Sequence, residues 1–405
     1  MLQYLWGIFG MVIVLAIAFL LSKSKKSINF RTVGGALAIQ IIFGFIVLKW
    51  EAGRHFFSGV TSVIQSIIDT SDAGIQFLFG GVLGVEGVGM VFAFQVLPVI
   101  IFFSSLISIL FYIGVMQVLT KAVGGFLSMI LKTTKPESMS AAANIFIGLT
   151  EAPLVVKPFL EKMTKSELFA VMTGGAASVS GSVLVGYSLL GVPLDYLIAA
   201  AFMAAPAGLL MAKIIMPETE VRDEEQVIKF EKDKDTTNII DAASNGAIVG
   251  LKLALNIGAL LLAFTSLIAL FNLGLDWAGN LFGYESITVE QILGYLLAPL
   301  AFVIGIPWDE ALRAGSYIGQ KFVLNEFVAF SNFGPEVGTF SDKTVAIITF
   351  ALCGFANLAG IAMLIGGIGG LAPSRKNDLA KYALLAVIAG TLANLLSAAI
   401  AGMLI

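Results

Sequence analysis

Residues 136–182 read PESMSAAANIFIGLTEAPLVVKPFLEKMTKSELFAVMTGGAASVSGS, and this stretch decides the fold. One apolar run stops at Gly148-Leu149-Thr150-Glu151-Ala152-Pro153, and a second stops at Ala177-Ser178-Val179-Ser180-Gly181-Ser182. A soluble protein can place such a carboxylate at a helix end. In lipid, an ionisable group flanked by Gly and Pro is costly unless it lines a cavity or binds something. Two helical halves meeting at a polar tip, followed by a broken helix, form the layout of an ion and substrate site in secondary transporters.

The rest of the chain puts this stretch in a membrane. Of 405 residues, 58% are hydrophobic and 13% charged, with mean hydropathy +0.94. Soluble domains carry about a quarter charged residues. The 43 glycines suit helices that pack closely or unwind in lipid. A net charge of −3 gives no sign of a nucleic-acid partner. The single Cys353 excludes an intrachain disulfide, and the single His55 argues against a His-based metal site. Residues 1–21 lack a basic start and a cleavage site, so they read as a retained first span.

Stretches long enough to cross about 30 Å of hydrocarbon fall at 3–21, 32–48, 91–118, 167–190, 195–215, 245–272, 343–366 and 379–404. Basic residues orient them. Lys23, Lys25, Lys26 and Arg31 lie between the first two spans, and Lys121, Lys132 and Lys135 follow the third. Lys157, Lys162 and Lys165 follow the Glu151 segment, while Arg375 and Lys376 follow the seventh span. By the positive-inside rule these loops are cytoplasmic and both termini lie outside. Residues 56–79, with Asp69 and Asp72, read as an amphipathic interfacial helix, and 291–305 as interfacial or partly re-entrant.

A shift of about 175 positions lays Thr150-Glu151 on Asn325-Glu326, and the break at 178–182 near the break at 353–357. Three spans separate the copies, so their orientations are opposite. The expected organisation is a peripheral scaffold over 1–90, a first inverted repeat over 91–216, a charged cytoplasmic linker over 217–242 and a second repeat over 243–405. The fold class is thus an all-α polytopic membrane protein. It has eight transmembrane helices, two re-entrant hairpins, and broken helices in spans four and seven.

Glu151 and Glu326 are the leading candidates for chemistry, because Lys157 and Lys321 are expected a helical turn or more away, toward the surface. Dry carboxylates are strong acceptors for sugar hydroxyls, amino groups or cations. Asn357 offers a donor and an acceptor at the second break, or an interhelical hydrogen bond. Asn144 and Ser178, with main-chain carbonyls freed at Ile147 and Val179, either cage a monovalent cation or pack helices. Phe355 and Val183 read as packing residues. Pro307-Trp308-Asp309-Glu310 reads as a helix start. An intramembrane enzyme is disfavoured, since His55 and Cys353 are expected far from the polar tips. A channel fits an inverted repeat less well than alternating access does.

The sequence resembles the concentrative nucleoside transporter family over nearly its whole length. The resemblance rests on Glu137-Ser-Met-Ser-Ala-Ala-Ala-Asn144, Gly148-Leu-Thr-Glu-Ala-Pro, Gly305-Ile-Pro-Trp, Asn325-Glu-Phe-Val-Ala and Gly354-Phe-Ala-Asn357. It implies a homotrimer in the bacterial inner membrane, importing nucleosides such as uridine or adenosine with a co-transported sodium ion and no organic cofactor. It implies an elevator-like movement of the hairpin-bearing part. Glu326 and Asn357 would hold the ribose. Leu149, Thr150 and Glu151 would face the base, with Val183 and Phe355 as walls. Asn144, Ile147, Ser178 and Val179 would ligate sodium. Two positions depart from the pattern: Leu149 stands where sodium-coupled bacterial members have Gln, and Gly360 where they have Ser.

Overall fold

The computed structural model describes residues 2–83, 91–220, 236–281 and 287–405. Among these the regular structure is entirely helical. Helices α1 (Leu2–Leu20) and α2 (Phe30–Leu48) lead into α3 (Glu51–Leu83), one continuous helix longer at both ends than the expected amphipathic stretch. Next come α4 (Phe92–Gln95), α5 (Leu97–Tyr112) and α6 (Val115–Leu131). The third span therefore stops at Tyr112, short of the expected 118. The reason is Gly114, whose φ of 90° turns the chain in a way that side-chain-bearing residues resist.

The first hairpin is α7 (Lys135–Ala143), a tip, a 3-10 turn (Ala152–Val156) and α8 (Lys157–Leu160). The broken helix follows as α9 (Lys165–Ala177) and α10 (Gly181–Leu189), then α11 (Leu194–Ile215). Capping boxes at Thr134/Glu137 and Thr164/Glu167 fix where α7 and α9 begin.

The centre of the charged linker, 221–235, lies outside the described residues. Helix α12 (Ile239–Leu281) spans 43 residues, well past both expected ends of 245–272. Helix α13 (Val289–Val303) folds back on α14 (Trp308–Val323) through a 117° bend. Gly305, at φ 111°, and Pro307 make that bend possible. Then come α15 (Glu326–Phe333), α16 (Asp342–Leu352), α17 (Leu358–Leu371) and α18 (Lys376–Leu404). The expected seventh span is thus two pieces of 11 and 14 residues, each too short to cross alone. Seven described helices are long and apolar enough to cross a membrane, or eight if the bent pair α13–α14 counts as one span.

The element order repeats. The N-caps Thr164 and Ser341 stand 177 positions apart, as do the first residues of α10 and α17, Gly181 and Leu358. The correspondence runs α5 to α12, α6 to α13, first hairpin to α14–α15, and α9–α10 to α16–α17.

Burial separates two zones. In α9–α10 and in α11, 94% of the span is buried, against 17% in α12 and 22% in the α4–α5 segment. A side chain buried against protein in α11 and one facing outward in α12 are equally apolar, so hydropathy alone cannot tell them apart. Helices α5 and α12 pack lengthwise, with Ser104 and Ser108 against Gly246 and Gly250.

Candidate functional site

Each hairpin tip carries a carboxylate, the first held by its own backbone and the second by side chains of other elements. At the first tip, Gly148 N–H donates to Glu151 Oε2 at 2.7 Å, and Ala152 N–H donates to Gly148 O at 2.9 Å. The turn leaves Thr150 exposed and Glu151 half-buried. Leu149 is 3% exposed and packs against Gly175 of α9. Thr150 lies against Gly367 of α17, so the first tip touches the second half of the chain. Phe146 O accepts from Gly181 N–H at 3.0 Å, tying the same hairpin to the start of α10, which carries the buried Val183.

At the second tip, Asn325 Oδ1 accepts from Val328 N–H at 2.8 Å and caps α15. This places Glu326 in the first helical turn, fully enclosed. Glu326 Oε2 accepts from Asn357 Nδ2 at 2.7 Å, and Oε1 accepts from Tyr187 OH at 3.2 Å. Asn357 caps α17, its Oδ1 accepting from Gly360 N–H at 2.7 Å. A Cβ at Gly360 would stand 2.6 Å from the Phe355 carbonyl, so this glycine lets the break close tightly.

The two breaks cross one another. Phe355 N–H donates to Ser178 O at 3.1 Å. Asn394, on α18, donates from Nδ2 to Ala177 O at 2.7 Å and to Cys353 O at 3.0 Å. A Cβ at Gly354 would sit 2.8 Å from Ala177 O, so only glycine fits the crossing. The carboxyl ends of the half-helices α9 and α16 therefore converge from both repeats, and a half-helix carboxyl end favours cations.

Asn144 caps the C-terminus of α7 and is 1% exposed. Its Nδ2 donates to Ser140 O at 3.0 Å, whereas its Oδ1 is buried and accepts no hydrogen bond. The Asn144 side chain lies against Gly174, whose carbonyl also accepts from Ser178 Oγ at 3.0 Å. Ile147 and Val179 flank this point, both buried. An orphaned buried acceptor beside a hydroxyl and helix-end carbonyls is a neutral oxygen set, which fits a hard monovalent cation.

Two residues, Tyr187 and Asn394, escape the sequence reading, and the expectations for Lys321 and Cys353 need correction. Tyr187 is fully buried between Phe327 and Phe330, with ring centroids 4.7 and 4.3 Å away. Its spacing of four from Val183, one helical turn along α10, is the signal that was available. Lys321 does not lie toward the surface. It is 1% exposed and donates to Ala351 O at 2.7 Å and Asn394 Oδ1 at 2.8 Å, because α14 runs inward and its long side chain reaches the end of α16. Asn394, in the middle of α18, carries no motif at all. Cys353 is not remote from the tips either: it caps α16 at the break, since the break itself folds back to the second hairpin. Glu310, in the first turn of α14, accepts from Ser341 N–H at 2.9 Å at the start of α16. A cavity of about 850 Å³ opens elsewhere, beside Lys49, Arg54, Asp195 and Asp342, and contains none of the tip residues.

Three family models match the chain: the N-terminus of Na+ dependent nucleoside transporters over residues 9–82, a nucleoside recognition (gate) region over 93–193, and the C-terminus of Na+ dependent nucleoside transporters over 196–402. The chain belongs to the concentrative, Na+-dependent nucleoside transporter family. It is 56% identical over 405 residues to an uncharacterized transporter, YutK, of Bacillus subtilis, with all of both chains covered. It is 49% identical to the nucleoside permease NupC of Helicobacter pylori, covering 99% of this chain and 98% of the relative. The structure of CNTnw in an inward-facing substrate-bound state is similar, with a TM-score of 0.94, 52% identity and coverage of 99% and 98%. A CNTnw double variant in an outward-facing state matches with a TM-score of 0.96, 52% identity and coverage of 100% and 99%. The same fold thus serves both faces of an alternating-access cycle. This chain is a membrane nucleoside transporter coupled to sodium, and not an enzyme.

Proposed function

We propose that this transporter imports nucleosides across the bacterial inner membrane, with the ribose gripped at the second hairpin and sodium held at the first. Glu326 and Asn357 hold the sugar hydroxyls. Leu149, Thr150 and Glu151 stand on the base side, and Val183 and Phe355 form the walls. Asn144, Ile147, Ser178 and Val179 supply the oxygens for sodium. The observation that carries this reading is the Glu326 carboxylate. It is enclosed where two broken helices cross, with two of its roughly four acceptor positions already taken by Asn357 and Tyr187. The remaining lone pairs suit a vicinal diol.

The orphaned Asn144 Oδ1 supports the cation half of the reading. The Lys-rich loops at 23–31 and 132–135 favour cytoplasmic placement of those turns and both termini outside. The scaffold is 1–90 together with the α5–α12 pair. The hairpins, α9–α11 and α16–α18 move as one elevator-like body. The exposed apolar faces of α3 and α12 suit lipid and two further copies in a homotrimer.

Uptake of labelled uridine and adenosine into proteoliposomes tests the reading. An inward sodium gradient should drive accumulation, and its collapse should leave only equilibration. Accumulation that ignores sodium, or an absence of saturable uptake for both nucleosides, would overturn it.

A further inference from the structure

Two lysines are deeply buried among the described residues, and they differ in kind. Lys213 is neutralised within the protein by Glu137, with Nζ and Oε2 2.6 Å apart. Lys321 instead donates to two neutral oxygens, Ala351 O and Asn394 Oδ1. Its place in the repeat gives it meaning. By the 177-residue offset that relates the two broken helices, Ala351 corresponds to Gly174. In the first half, the hairpin limb α7 presents Asn144 against Gly174, with an unpartnered oxygen. In the second half, the hairpin limb α14 presents Lys321 to Ala351. The same last turn of the same half-helix therefore meets a neutral amide, whose oxygen is left unpartnered, in one repeat and a cationic side chain in the other.

The surroundings complete the parallel. Each hairpin tip carries one carboxylate, Glu151 and Glu326. Lys321 stands five residues before Glu326 in the second hairpin. Asn394 extends the arrangement across the crossing, accepting from Lys321 and donating to Ala177 O and Cys353 O at the ends of α9 and α16. A carboxyl helix end with freed carbonyls is stabilised by a positive charge, whether that charge arrives from solution or is attached to the chain.

We propose that the Lys321 ammonium is a tethered cation, standing in the second repeat where the first repeat takes its exchangeable sodium, and that it limits coupling to one sodium per nucleoside. This rests on the sodium reading of Asn144 and Ser178. The second half then keeps its carboxylate compensated throughout the cycle. Only the first half gains and loses a charge.

The coupling ratio tests the idea, because a neutral nucleoside makes charge per substrate equal to sodium per substrate. Reversal-potential measurements on wild-type proteoliposomes with uridine should give a ratio of one. Lys321→Asn places a neutral oxygen donor where the ammonium was, as Asn144 does in the first half, and should raise the ratio to two. A wild-type ratio of two overturns the proposal. So does Lys321→Asn with a ratio of one and a half-saturating sodium concentration within twofold of wild type. Thermal melting of purified protein against sodium, at constant ionic strength and without nucleoside, reads the same count without transport. There, Lys321→Asn should show a second-order dependence on sodium, while Lys321→Met, which offers no oxygen, should keep the first-order dependence of wild type. First-order behaviour in both variants overturns the tethered cation. Sodium-independent uptake by the wild type would instead strike the functional reading itself, while the melting count still decides this one.

Discussion

Replacing Glu326 by Gln removes one acceptor and inserts one donor at an enclosed point, and the neighbours dictate how the amide must sit. Asn357 Nδ2 can only donate, so the Gln oxygen must turn toward it. The new NH₂ then faces Tyr187, whose hydroxyl can reverse and accept. The fold therefore survives, but the carboxylate oxygen left for a ribose hydroxyl has become a donor. A hydrogen bond to a charged group contributes about 1.5–3 kcal/mol. At about 1.4 kcal/mol per tenfold, Glu326→Gln should weaken uridine binding ten- to a hundred-fold. Competition against labelled uridine with 2′- and 3′-deoxyuridine separates loss of contact from general damage. Wild type should lose affinity for the analogue lacking the contacted hydroxyl, while the variant should hardly distinguish that analogue from uridine. If Glu326→Gln discriminates the deoxy analogues as sharply as wild type, the carboxylate does not touch the sugar. Its charge then serves ion coupling or the conformational switch.

Asn144→Ala combined with Ser178→Ala removes two buried oxygens, worth about 1–3 kcal/mol. It should raise the sodium concentration for half-maximal uptake at least several-fold; an unchanged sodium curve would move the cation elsewhere. Leu149→Gln should change inhibition constants several-fold for some bases and little for others, since a neutral hydrogen bond nets about 0.5–1.5 kcal/mol. An equal change for every nucleoside would trace instead to the packing of Leu149 on Gly175 and to hairpin motion. Gly360→Ser forces a Cβ to within 2.6 Å of the Phe355 carbonyl, an overpacking cost of about 1–3 kcal/mol. It should lower the melting temperature by several degrees, and an unchanged value would mean that the break opens freely.

What was legible in the sequence depended on residues that are expensive where they stand. Glu151 and Glu326 in apolar runs, and Gly and Ser at breaks, announce themselves because lipid tolerates them only for cause. Their partners were hidden because partners satisfy them. Tyr187 reads as one more aromatic in an apolar helix until its hydroxyl is seen on Glu326. Lys321 looked like a residue near the membrane surface because a linear reading of α14 cannot show that the limb enters the protein. Asn394 sits amid Ala and Leu with no neighbour in sequence to mark it, yet it holds Ala177 O, Cys353 O and Lys321 together. Span ends failed for a related reason: hydropathy continues through α5 into α6, and only Gly114 at φ 90° shows that the chain has turned.

The crossing of the breaks follows from one requirement. A helix interrupted in the membrane leaves main-chain groups that water cannot reach, and each must find a partner inside the protein. One broken helix alone would have to draw on side chains for all of them. Two broken helices in opposite orientation can serve one another, as Phe355 N–H does for Ser178 O. Asn394 closes two further carbonyls with a single amide. What the backbone does not satisfy is left as a small set of oxygens and two carboxylates, one at each hairpin tip. On the proposed reading, those residual valences are where a nucleoside and a cation add most, since each supplies groups that the fold has withheld. In the proposed elevator-like cycle, binding completes the hydrogen bonding of the moving body, which is the state that can cross between the two faces of the membrane with least exposed polarity.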